Sequence, residues 1–258
     1  MYNMMVTMMI VIYSSMYFVI AKEMHLKESS DRKKYFNAFA AIASNRSILA
    51  FGDSLTKGVV VGDTIHPYIH EVKRQILRHD KNINITTVLH GHPGASTKSL
   101  RGYMNMFNKN LTNFAFVLIL CGTNDLVCQH DKYFDAGAVA ESIMGIHNHV
   151  HSFSTHEKPI YTIASTIPAT NSGRCYPQIN EKLREKVTSC SYPIGLIDLE
   201  HAFNHSDPIQ RKELWKLDGV HFTSKGSDAL GRLFFEAMLN FSYNIMKPGV
   251  VQLPRYMI

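Results

Sequence analysis

The sequence lacks several patterns that would indicate particular classes of protein. It contains no C-x-x-C pair, no internal repeat, no low-complexity tract and no long basic stripe interleaved with aromatic residues. The missing C-x-x-C pair removes support for a zinc site of that kind, and we expect neither a metal ion nor another cofactor. The net charge is only +6 and the basic residues are scattered, which argues against nucleic-acid binding.

Charge is also absent from residues 4–20, an apolar segment that is followed by Lys22 and Glu23. Its length lies at the short end of the ~17–25 residues of a membrane span, and it also fits the centre of a secretory signal. We predict that residues 1–21 are a cleaved signal peptide and that the protein is secreted. One alternative is an uncleaved signal-anchor that associates the protein with a membrane; the basic residues after the segment would then favour a cytoplasmic body. The other alternative is a buried helix. No basic residue precedes the segment, which weakens the signal hypothesis.

Two weaker features bear on the compartment. Asn-x-Ser/Thr sequons are typical of a secreted glycoprotein, and they occur at Asn45, Asn84, Asn110, Asn204 and Asn240. The chain also has four cysteines, an even number that permits two disulfides in an oxidising compartment. Cys175 and Cys190 flank a predicted helix and are placed to close a loop, whereas Cys121 ends an apolar run and fits a free buried thiol equally well. The pairing of the four, which include Cys128, stays open.

The remainder of the chain alternates apolar runs with amphipathic stretches. The apolar runs predict strands, and helices are predicted between and after them; the strands lie at 47–51, 83–89, 114–122, 159–165 and 192–199. The run at 114–122 is apolar throughout, as is typical of a central strand in a parallel sheet. We therefore predict an α/β fold, a three-layer α/β/α sandwich with a five-stranded parallel, flavodoxin-like sheet. The predicted domain spans 47–243, after an irregular polar lead-in at 22–46 and before a C-terminal tail at 244–258.

Four stretches with chemically active residues follow strands of the predicted sheet. "GDSL" (52–55) comes after the first strand and "HGHPGAS" (90–96) after the second. "GTND" (122–125) comes after the third strand, and "LDGVHFT" (217–223) lies beyond the fifth. In open parallel sheets, binding and catalytic sites lie at the carboxyl ends of the strands. We therefore expect these four stretches to meet.

The residues in these stretches match the needs of acyl transfer. Ser54 is the candidate nucleophile, and His221 is the candidate base that removes its proton. Asp218 lies three residues before His221, so that one turn can bring its carboxylate to the imidazole. Gly94 offers a backbone N–H and Asn124 a side-chain N–H to the oxyanion that forms on the attacked carbonyl group.

Taken together, the four stretches resemble the sequence blocks of the SGNH, or GDSL, family of serine esterases and lipases. "GDSLTKG", the glycine of "GHPGAS", "GTND" and "DGVHFT" are similar to its four blocks and stand in the same order. The resemblance implies hydrolysis of a small-molecule, lipid or carbohydrate ester through an acyl-enzyme. It also implies a triad of Ser54, Asp218 and His221, and an oxyanion hole made by the Ser54 N–H, Gly94 and Asn124. The residues before the glycine of "GHPGAS" depart from many members, which have an asparagine or other small residues there.

Other hypotheses fit parts of the sequence. An O-acyltransferase or a carbohydrate deacetylase would need the same residues, and a catalytically silent binding protein would keep only the fold. His147 and His151 have a spacing that suits a shared metal ion, but we interpret "HNHVH" as a solvated helix face because no third ligand is apparent. We assign Asp53 to the turn before Ser54, outside the triad, and we likewise interpret Asp125 as a loop organiser.

Overall fold

The computed structural model describes residues 28–59, 64–107, 111–126, 134–171 and 175–247. The predicted signal segment, the end of the predicted tail, the sequon at Asn110 and Cys128 lie outside these residues. Within the described part of the chain, no helix is both long enough and apolar enough to cross a membrane.

Five strands form one sheet in which every neighbouring pair is parallel. The strands are β1 (Ser47–Gly52), β2 (Thr86–Gly91), β3 (Phe114–Leu120), β4 (Tyr161–Ser165) and β5 (Ile194–Ile197). Their order across the sheet is β2-β1-β3-β4-β5, so the predicted flavodoxin-like arrangement is confirmed. The carboxyl end of β1 therefore lies between those of β2 and β3.

Helices cover both faces of the sheet and enclose two cores. They are α1 (Glu28–Ala43), α2 (Ser54–Lys57), α3 (Tyr68–His79), α4 (Thr97–Asn105), α5 (Ala136–His151), α6 (Tyr176–Thr188), α7 (Leu199–Ala202), α8 (Pro208–Leu214) and α9 (Ser224–Met246). Alternate residues of β1 supply the two cores because successive side chains of a strand point to opposite faces. Ile48 and Ala50 belong to the core with α1, α3 and α9. Leu49 and Phe51 belong to the core with α4, α5 and α6.

Helix α1 corrects the prediction of an irregular lead-in at 22–46. Three residues spaced along one side of α1 are buried, namely Phe36, Phe39 and Ala43. The Phe39 ring packs against Phe116 of β3 and Phe235 of α9, at centroid distances of 5.9 and 6.3 Å. The apolar face was overlooked because alanines elsewhere on the helix blur the 3.6-residue period that marks an amphipathic helix.

Element boundaries differ from the predictions where pairing or capping decides them. β2 begins at Thr86, which pairs with Ser47, three residues after the predicted start at residue 83. β5 ends at Ile197 because Asp198 and Leu199 turn into the short helix α7. Such boundaries depend on neighbouring strands that a local sequence pattern does not include.

The cysteines resolve one of the alternatives left open. Cys175 is disulfide-bonded, whereas Cys121 and Cys190 are free. A bridge between Cys175 and Cys190 is therefore not formed. Cys121, just past β3, is a free buried thiol and not part of a disulfide, which is one of the two alternatives given for it.

Candidate active site

Ser54 lies at the turn between β1 and α2. Gly52 ends the strand, and a Cβ at that position would lie only 1.8 Å from the Leu120 carbonyl oxygen of β3. Asp53 then caps α2, because its Oδ1 accepts the N–H of Leu55 at 2.9 Å. This sharp turn sets the Ser54 side chain at the carboxyl edge of the sheet, where the residue is 6% exposed.

His221 reaches Ser54 from the loop before α9. The distance from His221 Nε2 to the Ser54 hydroxyl oxygen is 2.9 Å. The other ring nitrogen, Nδ1, lies 2.9 Å from Oδ2 of Asp218. The second carboxylate oxygen of Asp218 accepts the backbone N–H groups of Val220 and His221, both at 2.9 Å. One carboxylate therefore both shapes the turn and holds the imidazole.

The Asp218 carboxylate is stabilised in its charged form. Burial acts to raise its pKa, but the hydrogen bonds from the His221 and Val220 backbone and from the imidazole together bring the pKa below the ordinary value. Asp218 is therefore ionised at neutral pH. A carboxylate in this position favours the Nδ1–H tautomer of His221 and can stabilise an imidazolium that forms during a reaction.

The loops after β2 and β3 flank Ser54 on its two sides. Gly94 has φ of +74°, which glycine adopts without strain. Asn124 Nδ2 donates to the Ala95 carbonyl at 3.0 Å. Asp125 accepts both the backbone N–H and the hydroxyl of Thr97, each at 2.9 Å, so its predicted role in the loop is confirmed. The two loops that carry Gly94 and Asn124 are thus joined beside the serine.

Several residues that hold these loops together were missed in the sequence. Thr97 lies 28 residues from Asp125, and only its place at the start of α4 carried a local signal. The Lys216 ammonium donates to the Val59 carbonyl. The Asn171 backbone N–H donates to the Gly219 carbonyl at 2.9 Å. Contacts between loops far apart in sequence leave no periodic pattern by which they can be found.

Asp53 has the predicted place in the turn, but its environment was not foreseen. Its side chain is fully buried. Burial raises its pKa to about 7, although the Leu55 N–H and the nearby Thr123 hydroxyl and N–H oppose the rise. Oδ2 is buried without a hydrogen-bond partner of regular geometry. Asp53 is thus a carboxyl group that titrates near neutral pH beside the candidate nucleophile.

The histidines of α5 do not form the solvated face that we predicted. His147 is fully buried, and its Nδ1 lies 2.8 Å from the Thr162 hydroxyl of β4. Burial lowers the pKa of His147 to about 3, so this imidazole is neutral. His149 and His151 are partly exposed. The prediction of a solvated face was wrong for His147. The side of α5 that packs on the sheet includes this residue, and a polar side chain can be buried where it has a hydrogen-bond partner, here Thr162.

The sheet order defines a three-layer α/β/α fold, and the contacts among Ser54, His221 and Asp218 lie at the carboxyl edge of its sheet. The chain belongs to the GDSL-like Lipase/Acylhydrolase family, whose model matches residues 50–229 and so includes every proposed site residue. No curated protein matches the chain in sequence.

Solved structures share this fold at low sequence identity. A lipase/acylhydrolase from Enterococcus faecalis is 24% identical with a TM-score of 0.59, covering 76% of this chain and 96% of its own. A putative arylesterase from Agrobacterium tumefaciens is 18% identical, with a TM-score of 0.58 and coverage of 76% and 99%. An acetylxylan esterase from Geobacillus stearothermophilus is 19% identical, with a TM-score of 0.58 and coverage of 76% and 95%. These likenesses establish the fold.

Proposed function

We propose that the protein hydrolyses carboxylic esters with Ser54 as its nucleophile. The observation that carries the proposal is the continuous chain of contacts from the Ser54 hydroxyl through both His221 nitrogens to Asp218, with both distances at 2.9 Å. A serine hydroxyl becomes a good nucleophile when a positioned base takes its proton as it attacks. Membership in an acylhydrolase family supports the same chemistry.

In the proposed reaction, Ser54 Oγ attacks the ester carbonyl carbon and its proton passes to His221 Nε2. The resulting oxyanion is stabilised by the Ser54 N–H, the Gly94 N–H and the Asn124 side-chain amide. His221 then protonates the leaving alcohol as the ester bond breaks, which leaves an acyl group on Ser54. Water, deprotonated by His221, releases the acid and restores the serine.

We propose that the substrate is a small-molecule, lipid or carbohydrate ester. One structure with the same fold is named an acetylxylan esterase, which makes acetylated carbohydrates a candidate class. Leu217, next to Asp218, is fully exposed, and an apolar side chain beside the triad also suits an acyl chain. Acyl transfer to another acceptor and a catalytically silent binding role are the alternatives.

The test combines an active-serine probe with turnover of graded esters. We expect a fluorophosphonate to label the wild-type protein on Ser54, and p-nitrophenyl esters of one acyl length to be hydrolysed best. Ser54→Ala should lose labelling and lower kcat by several orders of magnitude, as loss of a triad serine typically does. Ser189→Ala is the matched control, because the Ser189 hydroxyl donates to the Glu185 and Lys186 carbonyls at the end of α6, away from the triad.

Each alternative has its own outcome in this experiment. A silent binding protein would neither be labelled nor turn over any ester. An acyltransferase would be labelled but would release little free acid; an added alcohol acceptor would speed the release of p-nitrophenol, and the acyl group would be recovered on the acceptor as a new ester. Near-wild-type turnover by Ser54→Ala, with Ser189→Ala equally active, would rule out the proposed nucleophile.

We also propose that the protein enters the secretory pathway, with residues 1–21 removed as a signal peptide or retained as a membrane anchor. The disulfide at Cys175 supports an oxidising compartment, where such bonds persist. Mass spectrometry of the protein from culture medium and from membranes distinguishes the two fates by its N-terminal peptide. Recovery of the intact N-terminus only in the cytosol would contradict both.

A further inference from the structure

Asp53 is the one fully buried carboxyl group that touches the start of α2 among the described residues. Its Oδ1 accepts the Leu55 N–H at 2.9 Å, and its backbone N–H donates to the Leu120 carbonyl at 3.3 Å. Its other oxygen, Oδ2, and the Thr123 hydroxyl are both buried without a partner of regular geometry. The Thr123 hydroxyl and N–H both act on the Asp53 carboxyl group and lower its pKa, so the turn after β3 lies against this group.

Among the described residues, the groups that act most strongly on the Asp53 carboxyl include no positive charge. Asp125, on the turn after β3, opposes its ionisation. Tyr68 of α3 and Cys121 after β3 are buried, and each feels the Asp53 charge. The buried residues of α2 on this side are Ser54, Leu55 and Thr56, which carry no charge. A carboxylate without a cation in such a site is costly, whereas a neutral acid is not.

We propose that Asp53 works as a neutral carboxylic acid that positions Ser54, and that its ionisation turns the site down at alkaline pH. The proposal rests on the ester hydrolysis proposed above. In the neutral form, Oδ1 accepts from α2 and a proton on Oδ2 can be donated to the Thr123 hydroxyl. The acid thereby joins the turn that carries the serine to the turn that carries Asn124.

Ionisation of Asp53 changes both its hydrogen bonding to Thr123 and the charge beside Ser54. It removes the donor on Oδ2, so the Thr123 hydroxyl must turn from acceptor to donor. It also adds a negative charge at the start of α2, where Oδ1 accepts the Leu55 N–H one residue after Ser54. That charge opposes the negative charge that forms on the substrate oxygen in the transition state. The loss of rate therefore lies in kcat more than in KM. Asp53 acts through Ser54 and is a positioning residue.

The decisive variant is Asp53→Asn, because an amide copies the neutral acid. Its oxygen can accept the Leu55 N–H, and its NH₂ can donate to Thr123, but it does not ionise. We expect the wild-type kcat to fall roughly 10-fold or more between pH 6.5 and 9. Asp53→Asn should retain most of kcat at pH 6.5 and lose this alkaline decline. Asp53→Ala, which removes both contacts, should lower kcat about 10²-fold at every pH.

Infrared difference spectra give a readout that does not depend on activity. The wild type minus Asp53→Asn should show the carbonyl band of a protonated carboxylic acid at pH 6, and this band should disappear at pH 9. The absence of the band at pH 6 would overturn the proposal. So would an alkaline decline that Asp53→Asn shares with the wild type, or a folded Asp53→Asn that is as inactive as Asp53→Ala.

If the protein does not hydrolyse esters, these experiments give a different set of results. A wild type that lacks both ester turnover and fluorophosphonate labelling would refute the hydrolase, and the activity switch with it. The infrared band would still decide whether Asp53 is neutral, so the two failures are told apart.

Discussion

At the scale of single residues, Asn124 combines an observed contact with a proposed one. Its amide carries two N–H groups, and one of them donates to the Ala95 carbonyl at 3.0 Å. The bond to Ala95 holds the amide at the edge of the sheet. The remaining N–H is then available for the oxyanion of the proposed reaction.

We predict that Asn124→Ala lowers kcat by ~10²–10³-fold with a smaller effect on KM, which is the typical loss of one oxyanion donor. The reason is that the donor contributes only when charge develops on the substrate oxygen. Steady-state kinetics on the best p-nitrophenyl ester measures both constants. Asn124→Asp serves as a matched variant, because it keeps the shape but offers a carboxylate and should be no more active than alanine. A change confined to KM would make Asn124 a substrate-binding residue instead.

At the scale of secondary-structure elements, the site depends on how closely strands and loops approach one another. Gly52, the last residue of β1, and Gly94, in the loop after β2, both lie at the carboxyl edge of the sheet. Each position favours glycine for a different physical reason. At Gly52 the adjacent strand β3 leaves no room, since a Cβ would lie 1.8 Å from a carbonyl oxygen. At Gly94 no atom of the described residues lies within 4 Å of the position that a Cβ would take, and only the φ of +74° favours glycine.

Alanine at these two glycines should therefore have unequal effects on stability. Gly94→Ala is expected to cost about 1–2 kcal/mol, the usual penalty of a left-handed backbone for a residue with a Cβ. Gly52→Ala is expected to cost more, or to prevent folding, because two backbones must separate in the middle of the sheet. Thermal unfolding followed by circular dichroism compares the two. Equal melting temperatures would show that β1 and β3 can move apart at little cost.

At the scale of the whole molecule, the buried charge of Asp53 couples the site to the stability of the fold. An aspartate in the unfolded chain has a pKa near its ordinary value of 3.8, and burial raises the pKa of Asp53 to about 7 in the folded protein. Between these values the folded state binds more protons than the unfolded state. The free energy of unfolding contributed by Asp53 therefore falls as the pH rises from about 4 to 7, and it is constant above that range.

Asp53→Asn should accordingly have a higher free energy of unfolding than the wild type. This margin should be larger at pH 8 than at pH 5. The change in margin is on the order of 2–3 kcal/mol, since one pKa unit corresponds to ~1.4 kcal/mol. Other titrating groups are common to both proteins and cancel in the difference. Denaturant unfolding of the two proteins at pH 5 and pH 8 gives the two margins. If the margin did not change with pH, Asp53 would not titrate in this range.

How much of this could be predicted depends on whether a signal is local in the chain. The apolar run of β3, the alternation of strands and helices, and the four stretches at strand ends are local. They sufficed for the fold class and for naming candidate site residues. Asp218 and His221 lie three residues apart, so even their contact follows from one turn. The helical state of α1 was not predictable, because its small face is recognised only when Phe116 and Phe235 pack against it.

The sequence by itself determined the class of fold and the side chains that meet at the carboxyl edge of the sheet, since both follow from residue types and their order. Only the tertiary structure decided how those side chains are held and which of them are charged. The Ser54–His221 distance, the Thr97–Asp125 link and the burial of Asp53 and His147 all join residues far apart in the chain. Burial is a property of what surrounds a group, and it is burial that sets the cost of a charge there.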